Sequence, residues 1–128
     1  MKITSFYPMI VTRDSEDIVK LFGEMGFGVR HDFSGTTETD YRIIIMEDGD
    51  GHRVDIAEAE TESDRVIIRL NVDDFEEAYE LLKRNGYENT RGDRRVRSGS
   101  AVEATMVSPS GHVISLIQHM RKPADRRK

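Results

Sequence analysis

The spacing of hydrophobic residues predicts two amphipathic helices in this chain, one over residues 14–26 and one over residues 74–85. In each stretch apolar residues recur at intervals of three and four, which places them on one helical face. The first face comprises Ile18, Leu21, Phe22 and Met25, and the second comprises Phe75, Ala78, Leu81 and Leu82. Asp14 and Asp74 are candidate N-caps of these helices, and Gly26 and Gly86 are candidate terminators.

Runs rich in β-branched and aromatic residues predict strands on both sides of these helices. The predicted strands are 3–12, 27–33, 41–47, 52–59, 65–72, 93–98, 101–107 and 112–119, of which 93–98 is the weakest. Residues 34–40 read as a loop. The order strand, helix, strand, strand, strand therefore occurs twice, which indicates an α+β fold made of two βαβββ units.

The two halves of the chain superimpose without gaps when one is shifted by sixty residues. Identical residues then meet at the helix start, the helix face, the helix end and the turn before the last strand. The matched pairs are Asp14/Asp74, Glu16/Glu76, Leu21/Leu81, Gly26/Gly86, Met46/Met106, Gly51/Gly111 and His52/His112. This repeat predicts a single domain over residues 1–120, with repeat one at 1–60 and repeat two at 61–120. Residues 121–128 are predicted to be a disordered basic tail.

Composition narrows the possible partners. The chain has 128 residues, of which 37% are hydrophobic and 34% charged, a balance typical of one compact core. Its net charge is −5, and because the tail is strongly basic the body is more acidic still, which argues against nucleic acid. The absence of cysteine excludes disulfides, zinc ribbons and thiol nucleophiles. No apolar run approaches the ~20 residues of a membrane span, so no membrane partner is predicted and a cytoplasmic location is expected.

A family resemblance rests on three segments, FYPMIVTRDSEDIVKLFGEMGF, IIRLNVDDFEEAYELLKRNGY and MVSPSGHVISLIQH. They resemble the vicinal oxygen chelate superfamily, which includes glyoxalase I, bleomycin-resistance proteins and extradiol dioxygenases. The resemblance implies two βαβββ units with pseudo-two-fold symmetry, whose curled mixed sheet forms an open cup. It also implies a homodimer, which the long apolar runs at 43–45 and 66–68 favour.

In metal-dependent members of that superfamily, four side chains on the first and last strands of the two units hold the ion. The corresponding positions here are Tyr7, Asp55, Ile67 and Ser115. Only Asp55 is a good ligand, whereas a catalytic divalent ion usually needs about three protein ligands. We therefore expect no metal and no other cofactor in this chain.

The face that would line the cup mixes apolar and polar side chains, as small-molecule pockets do. The predicted ligand-binding residues are Tyr7, Met9, Asp55, Ile67, Arg69, Ser115, Ile117 and His119. Arg69 would orient a carboxylate or phenolate, and Asp55 and Tyr7 would accept or donate further hydrogen bonds. Alternatively, Arg69 and Asp55 would pair with each other and close a vestigial cup.

Three functions remain open at this point. The first is a metal-free small-molecule binding protein similar to the drug-sequestering branch of the superfamily, with an anionic or aromatic organic ligand. The second is an enzyme: a lyase, isomerase or dioxygenase with an unusual metal shell, or a metal-free acid–base catalyst using Asp55 or Tyr7. The third is an interaction domain whose cup is filled by its own side chains. The catalytic residues, if any, are unknown.

The histidines and a run of arginines have structural interpretations that require no functional role. His52 and His112 are interpreted as exposed residues at strand starts, His119 as a rim residue, and His31 has no visible partner. The arginines of residues 91–97 could recognise an anionic ligand, but they fit a charged, solvated edge strand better.

Overall fold

The computed structural model describes residues 1–33 and 42–120. Three sequence predictions fall outside the described residues: the loop at 34–40, the first residue of the strand predicted at 41–47, and the basic tail at 121–128.

The order of elements in the described chain confirms the predicted α+β fold. The elements are β1 (Ile3–Thr12), α1 (Ser15–Glu24), β2 (Gly28–Phe33), β3 (Arg42–Glu47), β4 (Arg53–Glu58), β5 (Arg65–Val72), α2 (Phe75–Arg84), β6 (Glu88–Asn89), β7 (Val96–Ser98), β8 (Ala101–Val107) and β9 (Val113–His119). The predicted strand 93–98 was too long, because within that range only Val96–Ser98, which form β7, pair with β8. The two-residue strand β6 was not predicted.

The predicted helix faces were partly wrong. The side chains turned toward the sheet are Ser15, Ile18, Val19 and Phe22 on α1, and Phe75, Ala78, Tyr79 and Leu82 on α2. These two sets again differ by sixty residues. Leu21 and Leu81 are instead exposed, at 50% and 39%, and Met25 is exposed as well.

A contact at the start of α1 explains the rotation of its face. Glu58 Oε2 accepts hydrogen bonds from Ser15 N at 3.0 Å and from Ser15 Oγ at 3.2 Å. With Ser15 held inward by this contact, the buried stripe of α1 begins at Ser15, whereas the sequence prediction began it at Ile18. Since periodicity alone fixes the width of a stripe better than its start, the sequence could not distinguish the two settings.

The structure divides into two compact units. The first, called here the 7–68 unit, comprises Tyr7–Ile68. Its strands follow the order β2-β3-β4-β1, with β1 and β4 parallel and the other pairs antiparallel. Helix α1 packs against the core of this unit. That core consists of Ile44, Met46, Val54 and Ile56, with Ile10, Ile18, Val19, Phe22 and Phe27 packed against them.

The second unit, called here the 69–128 unit, comprises Met1–Phe6 and Arg69–Lys128. Its strands follow the order β5-β9-β8-β6, and β7 also pairs with β8. Helix α2 packs on a core formed by Leu70, Val72, Phe75, Ala78, Tyr79, Val102, Ala104, Met106, Ile114 and Leu116. The start of the chain joins this unit through Asp73, whose amide donates to Lys2 O at 3.0 Å and whose carboxylate accepts from Lys2 N.

The turns before β4 and β9 share one arrangement. Asp48 Oδ1 accepts from the amide of His52 at 2.9 Å, and Ser108 Oγ accepts from the amide of His112 at the same distance. Since both pairs of positions differ by sixty, the repeat found in the sequence extends to individual hydrogen bonds.

No helix within residues 1–33 and 42–120 is long and apolar enough to cross a membrane.

Candidate functional site

Asp55 is a buried carboxylate in the middle of β4. Its exposed fraction is 0%, and its Cα partner on the parallel strand β1 is Met9. A buried charge is costly unless a partner of opposite charge accompanies it. Arg53 supplies that partner from the same strand, because residues two positions apart in a strand face the same side.

Arg53 holds both oxygens of Asp55. Its Nε donates to Oδ1 at 2.8 Å and its Nη2 donates to Oδ2 at 3.2 Å. This bidentate geometry is the stronger form of an arginine–carboxylate pair. The Arg53 side chain is 18% exposed while Asp55 is not exposed at all, so solvent reaches the ion pair on its arginine side.

Tyr7 completes the cluster. The guanidinium carbon of Arg53 lies 3.9 Å from the centre of the Tyr7 ring, a cation–π contact. Burial acts to lower the pKa of Arg53, but the hydrogen bonds and charge of Asp55, together with Tyr7, outweigh it and raise that pKa. Arg53 therefore keeps its positive charge under all ordinary conditions.

The residues at the superfamily's metal positions do not fit a divalent ion. Both oxygens of Asp55 already accept hydrogen bonds from Arg53, and Ile67 offers no ligand atom. No group of three or more His, Cys, Asp or Glu side chains among residues 1–33 and 42–120 could hold a metal. Asp55 and Tyr7 are instead engaged with Arg53, as an ion pair and a cation–π contact.

The eight predicted ligand-binding residues are divided between the two units. Tyr7, Met9, Asp55 and Ile67 belong to the 7–68 unit, and Arg69, Ser115, Ile117 and His119 belong to the 69–128 unit. The buried members are Met9, Asp55, Ile67, Ser115 and Ile117, whereas Tyr7 and Arg69 are partly exposed and His119 is exposed. The structure brings Tyr7 and Asp55 together through Arg53. The binding role of all eight stays a prediction.

Arg53 is the residue whose role sequence reasoning missed. Alternation along β4 places Arg53 on the same face as Asp55, but the sequence assigns it no function. The available signal was local: opposite charges two positions apart on one strand can pair directly. Their pairing depends on side-chain conformations, which the sequence does not contain.

The histidines lie in surface contacts. His52 Nδ1 is 2.7 Å from Asp48 Oδ2, and this hydrogen bond raises the pKa of His52 and lowers that of Asp48. His112 Nδ1 is 2.9 Å from the hydroxyl of Tyr87. His31, for which the sequence showed no partner, stacks its ring on Phe33 with 5.5 Å between centroids.

Within the basic run, Arg95 has a structural role. Its guanidinium carbon lies 4.0 Å from the ring centre of the buried Tyr79, and its Nη2 donates to Glu76 Oε1 at 2.8 Å. These contacts tie the segment before β7 to helix α2.

A groove of about 330 Å³ lies on the 7–68 unit, apart from the predicted binding residues. It is lined by Ser15, Glu16, Val19, Lys20, Val29, Asp32, Arg42 and Ile44. Arg42 is held by Asp32 through two hydrogen bonds of 2.9 and 2.7 Å, which lower the pKa of Asp32. The Arg42 guanidinium of this groove is therefore engaged by an acid, as Arg53 is.

Comparison with known proteins agrees with the resemblance. The family model of the Glyoxalase/Bleomycin resistance protein/Dioxygenase superfamily matches residues 5–116. A search of curated proteins gave no match.

Several solved structures share the fold. Glyoxalase I from Zea mays is 16% identical, with 94% of this chain and 44% of that chain covered and a TM-score of 0.69. Methylmalonyl-CoA epimerase from Mycobacterium tuberculosis is 12% identical, with 98% and 93% covered and a TM-score of 0.68. A Streptomyces coelicolor methylmalonyl-CoA epimerase in complex with 2-nitronate-propionyl-CoA is 15% identical, with 94% and 100% covered and a TM-score of 0.66. Identities this low establish the fold and leave the chemistry open.

Because the family model covers most of its length, the chain belongs to the Glyoxalase/Bleomycin resistance protein/Dioxygenase superfamily, the vicinal oxygen chelate proteins.

Proposed function

We propose that this protein binds a small organic molecule without a metal ion. The observation that carries the proposal is the ion pair of Arg53 and Asp55, which engages both oxygens of the one good ligand at the superfamily's metal positions. Membership of a superfamily that includes enzymes and resistance proteins supports small-molecule binding as the general function. An aromatic or anionic ligand fits the proposed residues best.

Two of the predicted residues would make polar contacts with the ligand. Arg69 would bind a carboxylate or phenolate, because a guanidinium matches the geometry of two oxygens. Tyr7 would hydrogen-bond a polar group of the ligand, and the aliphatic residues Met9, Ile67 and Ile117 would contribute affinity by excluding water.

A thermal-shift screen of small aromatic acids and amphiphiles tests this proposal. We expect at least one compound to stabilise the wild type, and Arg69→Ala to weaken its binding by roughly 1.5–3 kcal/mol, the loss of a charge-assisted hydrogen bond. Arg84→Ala is the matched control, because Arg84 is an exposed arginine at the end of α2, away from the proposed residues. Isothermal titration of the best compound would supply the dissociation constants.

Two outcomes would count against the proposal. Equal shifts in the wild type, Arg69→Ala and Asp55→Ala would place the ligand elsewhere, and Arg42→Ala would then test the groove on the 7–68 unit. No shift from a broad library would contradict ligand binding itself.

An enzyme is the second candidate, favoured by the similarity of the fold to proteins named as epimerases and as glyoxalase I. Metal-free chemistry would use Asp55 or Tyr7 as the proton-transfer group. Exchange of the α-proton of methylmalonyl-CoA for deuterium, followed by NMR in heavy water, would reveal such an activity. Exchange that persists in both Asp55→Asn and Tyr7→Phe would exclude these residues as the catalytic groups.

An interaction domain is the third candidate. The observation in its favour is that Met9, Asp55, Ile67, Ser115 and Ile117 are all buried, as residues that fill an interior would be.

A homodimer in the cytoplasm also remains part of the proposal, and sedimentation velocity at high micromolar concentration tests the oligomeric state. A monomer there would contradict it.

A further inference from the structure

The Arg53 guanidinium lies on Asp55, one of the four positions that hold the ion in metal-dependent members of the superfamily. It reaches both oxygens and rests against the Tyr7 ring. We propose that Arg53 is the resident cation of this site and the residue that excludes a divalent ion from it. The proposal concerns which cation the 7–68 unit accepts and is independent of the organic ligand.

The geometry supports exclusion because an ion would have to displace Arg53 from two partners at once. A carboxylate oxygen that coordinates a metal uses the lone pairs that here accept N–H groups, at 2.8 Å on Oδ1 and 3.2 Å on Oδ2. Leaving Asp55 would also take the guanidinium off the Tyr7 ring, 3.9 Å away. The two contacts come from different strands, so they hold the arginine from two sides.

Charge acts in the same direction. An arginine does not lose its proton in proteins, so its charge persists at every pH at which the protein is folded. A divalent ion at Asp55 would therefore lie within a few ångströms of a fixed positive charge. Like charges at that distance repel each other, and the burial of Asp55 strengthens the repulsion.

The second repeat builds the equivalent strand without this pair. The positions sixty residues after Arg53 and Asp55 are Val113 and Ser115, which carry neither charge. A β4 strand without an ion pair is thus compatible with the fold of a repeat. In this chain Asp55 binds a cation that the protein itself supplies, the guanidinium of Arg53.

The test rebuilds a metal site with and without Arg53. Tyr7→His and Ile67→His, added to Asp55, give two imidazoles and one carboxylate, the ligand set of many iron and cobalt sites, all within the 7–68 unit. Co²⁺ binding is measured by equilibrium dialysis and elemental analysis for Y7H/I67H, for Y7H/R53M/I67H, and for the latter with Asp55→Asn. Circular dichroism confirms that each variant is folded.

We expect Y7H/R53M/I67H to bind Co²⁺ at one ion per chain and at least about tenfold more tightly than Y7H/I67H, with the gain lost in Asp55→Asn. Equal affinity of Y7H/I67H and Y7H/R53M/I67H would overturn the proposal, because Arg53 would then be no obstacle. Absence of Co²⁺ binding by folded Y7H/R53M/I67H would overturn it as well.

A second measurement locates the ion. Millimolar Mn²⁺ is added to isotope-labelled Y7H/I67H and Y7H/R53M/I67H, and paramagnetic broadening of the amide signals of Met9 and Asp55 is recorded. We expect broadening in Y7H/R53M/I67H and none in Y7H/I67H. The same broadening in both proteins, or none in either, contradicts the role assigned to Arg53.

Discussion

The last strands of the two repeats, β4 and β9, are held at their ends by equivalent contacts but carry different chemistry between them. At the far end of β4, Glu58 accepts from the amide of Ser15 at the start of α1. At the far end of β9, Gln118 accepts from the amide of Phe75 at the start of α2, at 2.7 Å. These pairs are sixty residues apart, so each helix is anchored to its sheet in the same manner.

Between those ends, β4 holds the buried pair of Arg53 and Asp55, and β9 holds Val113 and Ser115 at the same positions. The contacts that anchor the helices use backbone amides, which a carboxylate or an amide oxygen can accept from, so glutamate serves in one repeat and glutamine in the other. The ion pair needs two particular charges at once. The two strands therefore keep equivalent contacts to their helices although the residues between those contacts differ.

The largest expected effect comes from giving β4 the residues of β9. Arg53→Val alone leaves Asp55 buried without its bidentate partner, and we expect it to lower the free energy of unfolding by roughly 3 kcal/mol. The double variant R53V/D55S removes both charges, as in repeat two, and is expected to recover most of that loss. Urea denaturation of the wild type, both variants and Asp55→Ser alone gives the coupling energy.

If R53V/D55S were no more stable than Arg53→Val, the buried charge would not be the cause of the loss. The comparison between β4 and β9 would then reflect packing volume. Arg65→Val, at an exposed arginine that begins β5, controls for the general cost of replacing arginine by valine.

A smaller effect is expected where the two strands are alike. Glu58→Ala removes the acceptor at the start of α1, and Gln118→Ala removes both the acceptor for Phe75 N and the donor to Asp73 O. Each should cost about 1–2 kcal/mol, the range for loss of a helix cap. The conservative Glu58→Gln should cost less than Glu58→Ala, because the amide oxygen still accepts. Urea midpoints measure all three, and equal losses for Glu58→Gln and Glu58→Ala would show that the charge matters more than the hydrogen bond.

The smallest effect concerns the turns before β4 and β9. The hydrogen bond to Asp48 raises the pKa of His52 above its ordinary value, so the pair stabilises the folded state fully below that ordinary value. This stabilisation is lost as the pH rises through the raised pKa of His52. At the acid end it is lost again as the pH falls through the lowered pKa of Asp48.

Asp48→Ser copies the turn of repeat two, where Ser108 accepts from the backbone of His112. We expect the variant to retain the turn but to lose the pH dependence, so its deficit relative to wild type should be larger near about pH 5.5 than near about pH 8.5. NMR titration should show the pKa of His52 falling in the variant. An unchanged pKa would mean that Asp48 is not its partner in solution.

The sequence predicted the elements well where the signal was local. Hydrophobic periodicity and turn residues located β1, both helices and β5, and the glycines that end the helices, Gly26 and Gly86, do have positive φ. The faces of the helices were less accurate: Leu21 and Leu81 match between the repeats yet point to solvent, while Val19 and Tyr79 pack inward. Which residue begins a buried stripe depends on where the sheet lies, and no local pattern records that.

The sequence by itself determined the α+β class, the sixty-residue repeat and the family, because caps, turns and alternation are set by neighbouring residues. It also identified Asp55 as the one acidic residue at the superfamily's metal positions. Only the tertiary structure decided what Asp55 contacts. The pairing of Asp55 with Arg53 depends on the conformations of two side chains of one strand. The contact of Arg53 with the Tyr7 ring depends on how β1 and β4 lie side by side, because strand pairing brings together residues almost fifty positions apart in the chain.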